Sequence, residues 1–496
     1  MDFVLAFPVE IWKQIFDELP GLTIQSLAML HRVFYQLAQA EVWKRLILCS
    51  TTPKLHQKVK YLLKRPALGL SIRELCLSRP YDSHDLMPDM FWRFVPRRWR
   101  QDLQNYPLTH FRAIKTAHET IPFLSNVQHL EVQFNFLPTQ RFELNSKNSV
   151  SYLSLWKSIG TLTSQLRSIK FLLDASQAAF VGRCLALASS VLTQVEEVQL
   201  FLNSSGPVNA DDFVSLLDPV RNTVRYLTFH IDSFQVRPST LSILGYFPQL
   251  FRLCFKAAQG RWSQRGGDPI FQSFLWLHRK TLRSFCIETS NHELIQNSLP
   301  IQTVDPLPKL TTIHLRLYGG ALRRALQLSM IQDHIMPSLG SFADSLTTLS
   351  LTNMILSEVK LEDLLKNLSM SSENGMTTCL LRLRATLQCL QPRFLNLLSE
   401  YAPDLQVLDL SYQFLIDQNG NMQTSYATQE WDQILHHEYA TWKLSWINVS
   451  NLRLLDGCIE SVPQKAFQEF LGSLLPSIKY FGPIDWMHVD RLSGLH

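Results

Sequence analysis

Three residues that could ligate a metal or act as nucleophiles share one position in consecutive predicted strands. Cys254, Cys286 and His314 each stand fifth in a repeated six-residue pattern. Neighbouring strands lie about 4.8 Å apart, which brings two thiols and an imidazole near one another. A structural zinc site takes four ligands, and the spacing reveals no fourth. The alternative is that the cysteines are small, half-buried hydrophobic residues. We therefore predict no metal site and no cofactor.

Two other groups of ligand-type residues fail on spacing. Asp417, Asn419 and Asn421 alternate like the start of a calcium loop, but Gly420 stands at the fourth position and no Glu stands at the twelfth. The run 436–438 (His-His-Glu) has no second ligand pair. Phosphate-binding glycine loops and the common hydrolase motifs are missing from the sequence. The sequence therefore predicts a non-catalytic protein.

Composition sets the broad class of protein. The chain has 496 residues, of which 46% are hydrophobic and 18% charged, a balance typical of folded proteins. Its net charge of +5 is dispersed along the sequence, which argues against nucleic acid as a partner. No apolar run is long enough to span a bilayer, so we expect no membrane partner. Eight cysteines without a C-x-x-C pair favour a reducing compartment, either cytoplasmic or nuclear.

A short apolar pattern recurs along most of the chain. Its form is apolar-x-x-apolar-x-apolar, and most copies are spaced about 23 to 39 residues apart. Copies begin at residues 72, 127, 166, 195, 224, 250, 282, 310, 346, 405, 452 and 475, with a weak one near 381–383. Helical segments separate them, as at 180–192, 212–220, 270–278, 361–368 and 394–401. Stacked units of this kind bury a continuous core that one unit cannot make alone.

These copies resemble leucine-rich repeats of the irregular kind. The resemblance implies an α/β repeat solenoid over residues 71–496, a horseshoe with a concave parallel β-sheet and outer helices. The consensus Asn after each strand is mostly missing, with Asn203 and Asn353 as remnants. A conventional α/β domain is the alternative. Two segments interrupt the pattern, at about 79–115 and 412–447. The first holds the basic and aromatic run 91–100, which either packs over the first repeats or forms an interaction patch.

Strand alternation predicts which side chains would meet a ligand. Positions 1, 4 and 6 of each copy should point into the core, and positions 3 and 5 should line the concave face. That face is mixed in charge, which suits a folded protein or a peptide better than a phosphate backbone. The predicted target-binding residues are His129, Glu131, Lys170, Glu197, Tyr226, Arg252 and His314.

The first fifty residues form a separate, strongly apolar helical unit. Ile11, Ile15 and Leu19 follow Pro8 at four-residue steps, with large aromatic residues beside them, which predicts a helix. The pattern indicates a second helix over 27–37 and a short third helix over 42–47. So few residues cannot bury all these side chains internally. The unit must cover the domain behind it as a cap, dock on another protein, or do both.

The order Phe7-Pro8-x-Glu10-Ile11, followed by Leu19 and then Trp43, resembles an F-box over residues 4–48. Phe7 replaces the leucine that is usual in the family. The resemblance implies an F-box over 1–50, followed by a connecting helix over 51–70. It also implies binding to the Skp adaptor of an SCF-type ubiquitin ligase. The adaptor-binding residues would be Phe7, Pro8, Ile11, Ile15, Leu19, Trp43 and Leu46.

Together, the two resemblances imply the substrate-recognition subunit of an SCF (cullin–RING) ubiquitin ligase. Its partners would be the Skp adaptor, the cullin and an unknown target protein. One alternative is a scaffold with an F-box and leucine-rich repeats that binds the adaptor without delivering a target for degradation. Another is an enzyme that uses Cys254 and Cys286 as nucleophiles.

Overall fold

The architecture comes from a computed structural model of the full chain. The residues that it describes are 7–19, 21–49, 53–78, 118–133, 154–162, 165–173, 175–187, 189–202, 210–231, 244–257, 270–290, 294–295, 307–318, 335–370, 378–416, 422–423, 439, 442–451, 471–472, 475 and 477–482. The chain divides into two compact units. One comprises 1–229 with 235–249, and the other comprises 230–234 with 250–496.

The first unit begins with helices and continues as a parallel sheet. Its helices are α1 (Val9–Glu18), α2 (Gly21–Leu27), α3 (Arg32–Trp43), α4 (Pro53–Lys64), α5 (Ala175–Leu187) and α6 (Ala210–Leu217). Its strands are β1 (Arg45–Cys49), β2 (Glu74–Ser78), β3 (His129–Gln133), β4 (Ser168–Leu173) and β5 (Glu197–Leu202), and β6 (Tyr226–Ile231) begins in it. Strands β1 to β5 pair in chain order, each parallel to the next.

The second unit repeats this arrangement of strands and helices. Its strands are β7 (Arg252–Ala257), β8 (Ser284–Thr289), β9 (Thr312–Leu317), β10 (Thr348–Leu356), β11 (Arg382–Leu390), β12 (Val407–Ile416), β13 (Met422–Gln423), β14 (Trp446–Asn451) and β15 (Tyr480–Phe481). Its helices are α7 (Ile270–Leu277), α8 (Glu358–Met370) and α9 (Pro392–Tyr401). The strands pair parallel in chain order, except that β13 forms an antiparallel pair with β12.

One backbone hydrogen-bond pattern recurs at the entry to the strands. The Lys44 carbonyl accepts the N–H groups of Arg73 and Glu74, at 2.8 and 2.9 Å. In the second unit, the Arg283 carbonyl accepts from Thr311 and Thr312 at 2.9 and 3.0 Å. Each accepting carbonyl belongs to position 2 of a repeat, so these bonds hold successive repeats in one register. The chain is therefore an α/β protein built from repeated strands.

The predicted core positions are confirmed in the copies that begin at residues 72 to 346 and in the copy at 405. In the copy that begins at residue 72, Ile72, Leu75 and Leu77 (positions 1, 4 and 6) are all buried, and the copies at 127, 166, 195 and 224 behave alike. Outer helices also follow the predicted segments, since α7 covers 270–277 and α9 covers 392–401. Among the described helices, none is long and apolar enough to cross a membrane.

Four sequence assignments are wrong, one in secondary structure and three in the position of a strand. The segment 42–47 is not a helix, because α3 ends at Trp43 and β1 starts at Arg45. The weak copy predicted near 381–383 starts at Leu380, which places Arg384 at position 5 as the register partner of Ser350. The strand that pairs with β12 is β14 (446–451) rather than 452–457. The last copy is displaced by three residues, because Tyr480 pairs with Trp446.

The predicted interruptions are described only in part. Residues 79–115, with the basic and aromatic run 91–100, lie outside the described residues. In the second interruption, β12 continues to Ile416 and β14 begins at Trp446, so both ends of the 412–447 segment belong to strands. The rejected calcium-like residues 417–421 and the run 436–438 are outside the described part of the chain.

Candidate functional site

An apolar stripe runs along the exposed side of α1. Phe7, Ile11 and Ile15 are 44%, 39% and 42% exposed, and we call these three residues the docking stripe. Ile11 and Ile15 stand one helical turn apart, so they share one face of the helix. Pro8 precedes the first turn, and its carbonyl accepts the Ile11 N–H at 3.1 Å. The helix therefore begins directly after Pro8, and the Phe7 ring before it contacts Trp12 edge-on at 5.7 Å.

An adjacent face of α1, about 100° around the helix from the docking stripe, holds the three helices together. Phe16, Ile24, Phe34 and Ala38 form a buried cluster. The ring of Phe34 lies 5.6 Å from that of Phe16, and Trp12 contacts Phe34 edge-on at 4.9 Å. The buried cluster contains no residue of the docking stripe, although the Phe7 ring contacts Trp12, which packs against the cluster.

The other predicted adaptor-binding residues divide into two groups. Pro8 is exposed beside the docking stripe, whereas Leu19 is half-buried against the helical cluster. The Trp43 ring stacks on Tyr61 of α4 at 5.9 Å. Leu46 is only 1% exposed, since it belongs to β1 and pairs with Leu75 of β2. Its assignment to an adaptor surface is wrong, and the side chain belongs to the core of the sheet.

Sequence reasoning missed further exposed apolar residues. A turn over 28–30 separates α2 from α3, where a single helix was predicted over 27–37. Met29 and Leu30 in this turn are almost fully exposed, and Tyr35 is exposed on α3. His31 explains the interruption, because its Nδ1 accepts the Val33 N–H at 3.1 Å and so caps a new helix. A helical period could not reveal this break, since apolar residues continue through it.

The exposed face of the sheet in the first unit carries a charged network. Arg45 of β1 and Lys170 of β4 approach Glu131 of β3, with N–O distances of 3.4 and 3.5 Å. Gln133 donates to the same carboxylate at 2.9 Å. These contacts join β1, β3 and β4, and the Arg45 side chain reaches across β2 to do so. The structure therefore brings two of the predicted target-binding residues, Glu131 and Lys170, together.

The remaining predicted target-binding residues of this unit lie on the same face of the sheet. His129 is exposed on β3 and is the register partner of Ser168. Glu197 of β5 is half-buried and accepts a hydrogen bond from Gln199 at 2.7 Å. Tyr226 of β6 is half-buried, with the Arg225 guanidinium 5.9 Å from its ring. The face thus offers both charges and an aromatic ring to a partner.

In the second unit, the corresponding positions are more deeply buried. Arg252 is half-buried on β7, but His314 of β9 is only 7% exposed. Its prediction as a target-contacting residue is therefore wrong. Burial, with the nearby charges of Arg252 and Arg384, lowers the pKa of His314 to about 3, so its imidazole is neutral at neutral pH. Strand alternation predicts which residues share a face of the sheet, but it does not predict whether the second face is exposed to solvent or buried.

A buried polar ladder crosses β11, β12 and β14. The Arg384 Nε lies 3.1 Å from one oxygen of Asp409, and the Asn448 Nδ2 donates to the other at 2.8 Å. Asp409 is buried, and its charge is matched by the guanidinium. Asp409 stands at position 5 of the copy that begins at 405, a position predicted to face the ligand. Asn448 was missed because its copy begins at Leu444, eight residues before the predicted start at 452.

The described residues include one group that could hold a metal ion. Cys254 of β7, Cys286 of β8 and Glu288 of β8 place their ligating atoms within 4.8 Å of one another. Glu288 was missed in the sequence because it lies just beyond the six-residue pattern. Its signal was the spacing of two residues from Cys286, which puts both side chains on the same face of a strand.

Comparisons with known proteins add little to this description. Neither a protein family nor a curated protein matches the chain. Among solved structures, a crystal structure of a Rad7 and Elc1 complex in yeast aligns over 89% of this chain and 90% of that chain. The sequence identity is 14% and the TM-score is 0.39. This similarity is too low to transfer a function, so the function has to be inferred from the residues themselves.

Proposed function

We propose that this chain is the substrate-recognition subunit of an SCF-type (cullin–RING) ubiquitin ligase, working in the cytoplasm or the nucleus. The observation that carries the proposal is the docking stripe. Phe7, Ile11 and Ile15 remain exposed and are not members of the buried helical cluster. An apolar patch on an ordered helix favours a protein partner. The F-box resemblance of the same residues gives that partner as the Skp adaptor.

The helical unit has a second face that anchors it to the sheet. Leu46 pairs with Leu75, and the Lys44 carbonyl accepts two N–H groups from the start of β2. A docked adaptor would therefore be connected to the repeats through continuous backbone pairing. This arrangement favours a rigid connection between the adaptor and the first strands, which a ligase needs in order to hold its target at a fixed position.

The exposed face of the sheet is the proposed target-binding surface. In the first unit it presents His129, the network around Glu131 and Lys170, and Glu197 with Tyr226. Paired charges of both signs favour recognition of a complementary protein surface. The chain itself would perform no chemistry. Its contribution would be to raise the effective concentration of target lysines near the ubiquitin carrier bound by the cullin.

The adaptor step can be tested by co-purification. The double variant Phe7→Ala/Pro8→Ala removes one end of the docking stripe and the proline that starts α1. We expect it to lose the Skp adaptor while its sheet retains a wild-type melting temperature. Leu63→Ala on α4 is the matched control, because Leu63 is also an exposed apolar residue of a helix. Adaptor retention in the double variant would refute the docking assignment.

The delivery step needs a separate measurement. Partners can be labelled by proximity in cells, with and without proteasome inhibition, and compared between the wild-type chain and the double variant. A ligase subunit should show targets that accumulate under inhibition only when the adaptor binds. Partners whose abundance does not change would indicate a non-degradative scaffold instead.

A further inference from the structure

Cys254, Cys286 and Glu288 form a compact group on two strands of the second unit. Cys254 and Cys286 are register partners on the parallel strands β7 and β8. The Cys286 Sγ lies 3.8 Å from Glu288 Oε1, and all three residues are buried. Zinc binds sulfur at about 2.3 Å and carboxylate oxygen at about 2.0 to 2.2 Å. Ligand atoms within 4.8 Å of one another can therefore surround one zinc ion after small side-chain adjustments.

The carboxylate of Glu288 is held in place by two other residues. The Lys256 Nζ lies 2.9 Å from Glu288 Oε1, and the Tyr318 hydroxyl donates a hydrogen bond to Glu288 Oε2. Metal ligands are commonly oriented by such outer contacts. Lys256 also contributes a positive charge to the net charge of the site. Two thiolates and one carboxylate carry three negative charges, which Lys256 and a divalent ion would neutralise completely.

A divalent cation would take the place of the two thiol protons, because its charge stabilises both thiolates. The choice of ion follows from the ligands, since thiolates with a carboxylate suit zinc better than calcium or magnesium.

His314 is the residue available for the fourth position. It is the register partner of Cys286 on β9, one strand further along the sheet. Its side chain is buried in the same part of the sheet, and a neutral imidazole is a common zinc ligand. Reaching the ion would require rotation of its side chain, because its ring nitrogens are not among the atoms that already lie within 4.8 Å.

We propose that Cys254, Cys286 and Glu288 bind a structural zinc ion, with His314 as the fourth ligand. The ion would join β7, β8 and β9 and would be loaded as the chain folds, because the site is closed to solvent. The sequence alone predicted no metal, since Glu288 was not recognised as a ligand.

The first test is the metal content of the full chain, expressed with added zinc and purified in a reducing buffer. We expect about one zinc per chain, as for a single structural site. Cys254→Ser/Cys286→Ser should lose it. Cys76→Ser is the matched control, because Cys76 is buried at the same repeat position on β2 and accepts a hydrogen bond from Gln133. This control should keep the zinc.

A second test does not depend on variants that fold. Wild-type protein refolded with cobalt instead of zinc should show thiolate-to-cobalt charge-transfer absorption, which reports sulfur ligands directly. Tyr318→Phe should weaken zinc binding by about 10- to 100-fold, as expected for a residue that orients a ligand. His314→Gln should also weaken it, and unchanged affinity there would overturn the fourth-ligand assignment.

Two results would overturn the site as a whole. One is a wild-type protein that contains no zinc after expression and refolding with added zinc. This result would count against the site whether the two thiols are free or joined in a disulfide. The other is equal zinc content in the wild type and in the folded double-serine variant, which would place the metal elsewhere.

Discussion

Two buried histidines should make the second unit sensitive to acid. His278 follows α7, is fully buried, and donates its Nδ1–H to the Phe274 carbonyl at 2.7 Å. Burial lowers the pKa of His278 to about 4, and burial with nearby arginines lowers the pKa of His314 to about 3. Both values lie below the ordinary value of 6.5. The unfolded chain therefore binds more protons than the folded chain as the pH falls.

The sign and the size of the effect follow from these values. The stabilisation is fully present above about pH 6.5 and is lost progressively as the pH falls towards the folded pKa values. At about pH 5, each unfolded imidazole is protonated and each folded one is still neutral. The difference of about 1.5 pH units costs about 2 kcal/mol for each histidine, because one pKa unit is worth about 1.4 kcal/mol.

Hydrogen exchange measured by mass spectrometry can follow this loss locally. For peptides covering β8 and β9 of the metal-free protein, the opening free energy should fall by about 4 kcal/mol between pH 8 and pH 5, after correction for the intrinsic exchange rate. His278→Phe and His314→Leu should each remove about 2 kcal/mol of this pH dependence, whatever their effect on stability at pH 8.

A matched substitution completes the experiment. His129 is exposed on β3, so His129→Phe should leave the pH dependence of these peptides unchanged. The reasoning would be refuted if His278→Phe and His314→Leu kept the same pH dependence as the wild type, because that would show that neither imidazole changes its protonation on unfolding.

Two further predictions concern the polar contacts that hold the repeats. Asn353 has a positive φ of 60° and donates its Nδ2 to the Leu317 carbonyl at 2.9 Å. In urea unfolding, Asn353→Gly should cost about 1 kcal/mol for the lost hydrogen bond, and Asn353→Ala about 1 to 2 kcal/mol more for the strained backbone. Equal losses in the two variants would argue against backbone strain. Asp409→Ala should lower the free energy of unfolding by about 3 kcal/mol or more, because it leaves Arg384 and Asn448 without their buried partner. Asp404→Ala, in an exposed pair with Lys443, should lower it by at most about 1 kcal/mol. Similar losses in these two variants would show that burial of the ladder is unimportant.

The repeated strands were predictable because their chemistry is local. Three apolar positions in each six-residue copy become buried, and a period of two residues fixes which face they occupy. The same local rule failed at Trp43 to Leu48, which form another copy of the pattern (Trp43, Leu46 and Leu48) but continue directly from a helix. A short apolar run fits both a helical and a strand period, so only pairing with β2 distinguishes them.

The candidate sites were predictable only where they depend on one element. The docking stripe follows from the four-residue spacing of Ile11 and Ile15 on a single helix. The burial of His314 could not be predicted, because it depends on residues distant in sequence. The contact between Asn448 and Asp409 depends on the register between strands. Glu288 illustrates the same point, because its meeting with Cys254 arises only when β7 and β8 pair.

The central claim is that the docking stripe binds the Skp adaptor, and an equilibrium affinity measurement on the purified full chain tests it most directly. The variant Ile11→Asp/Ile15→Asp places two charges on the stripe without touching the Phe16 and Phe34 cluster. We expect it to weaken adaptor binding by at least about 100-fold, since buried apolar anchors at interfaces are worth about 2 kcal/mol or more each. Leu63→Asp on α4 should bind like the wild type. Absence of adaptor binding by the wild-type chain, or equal affinity of the wild type and the double variant, would contradict the proposal.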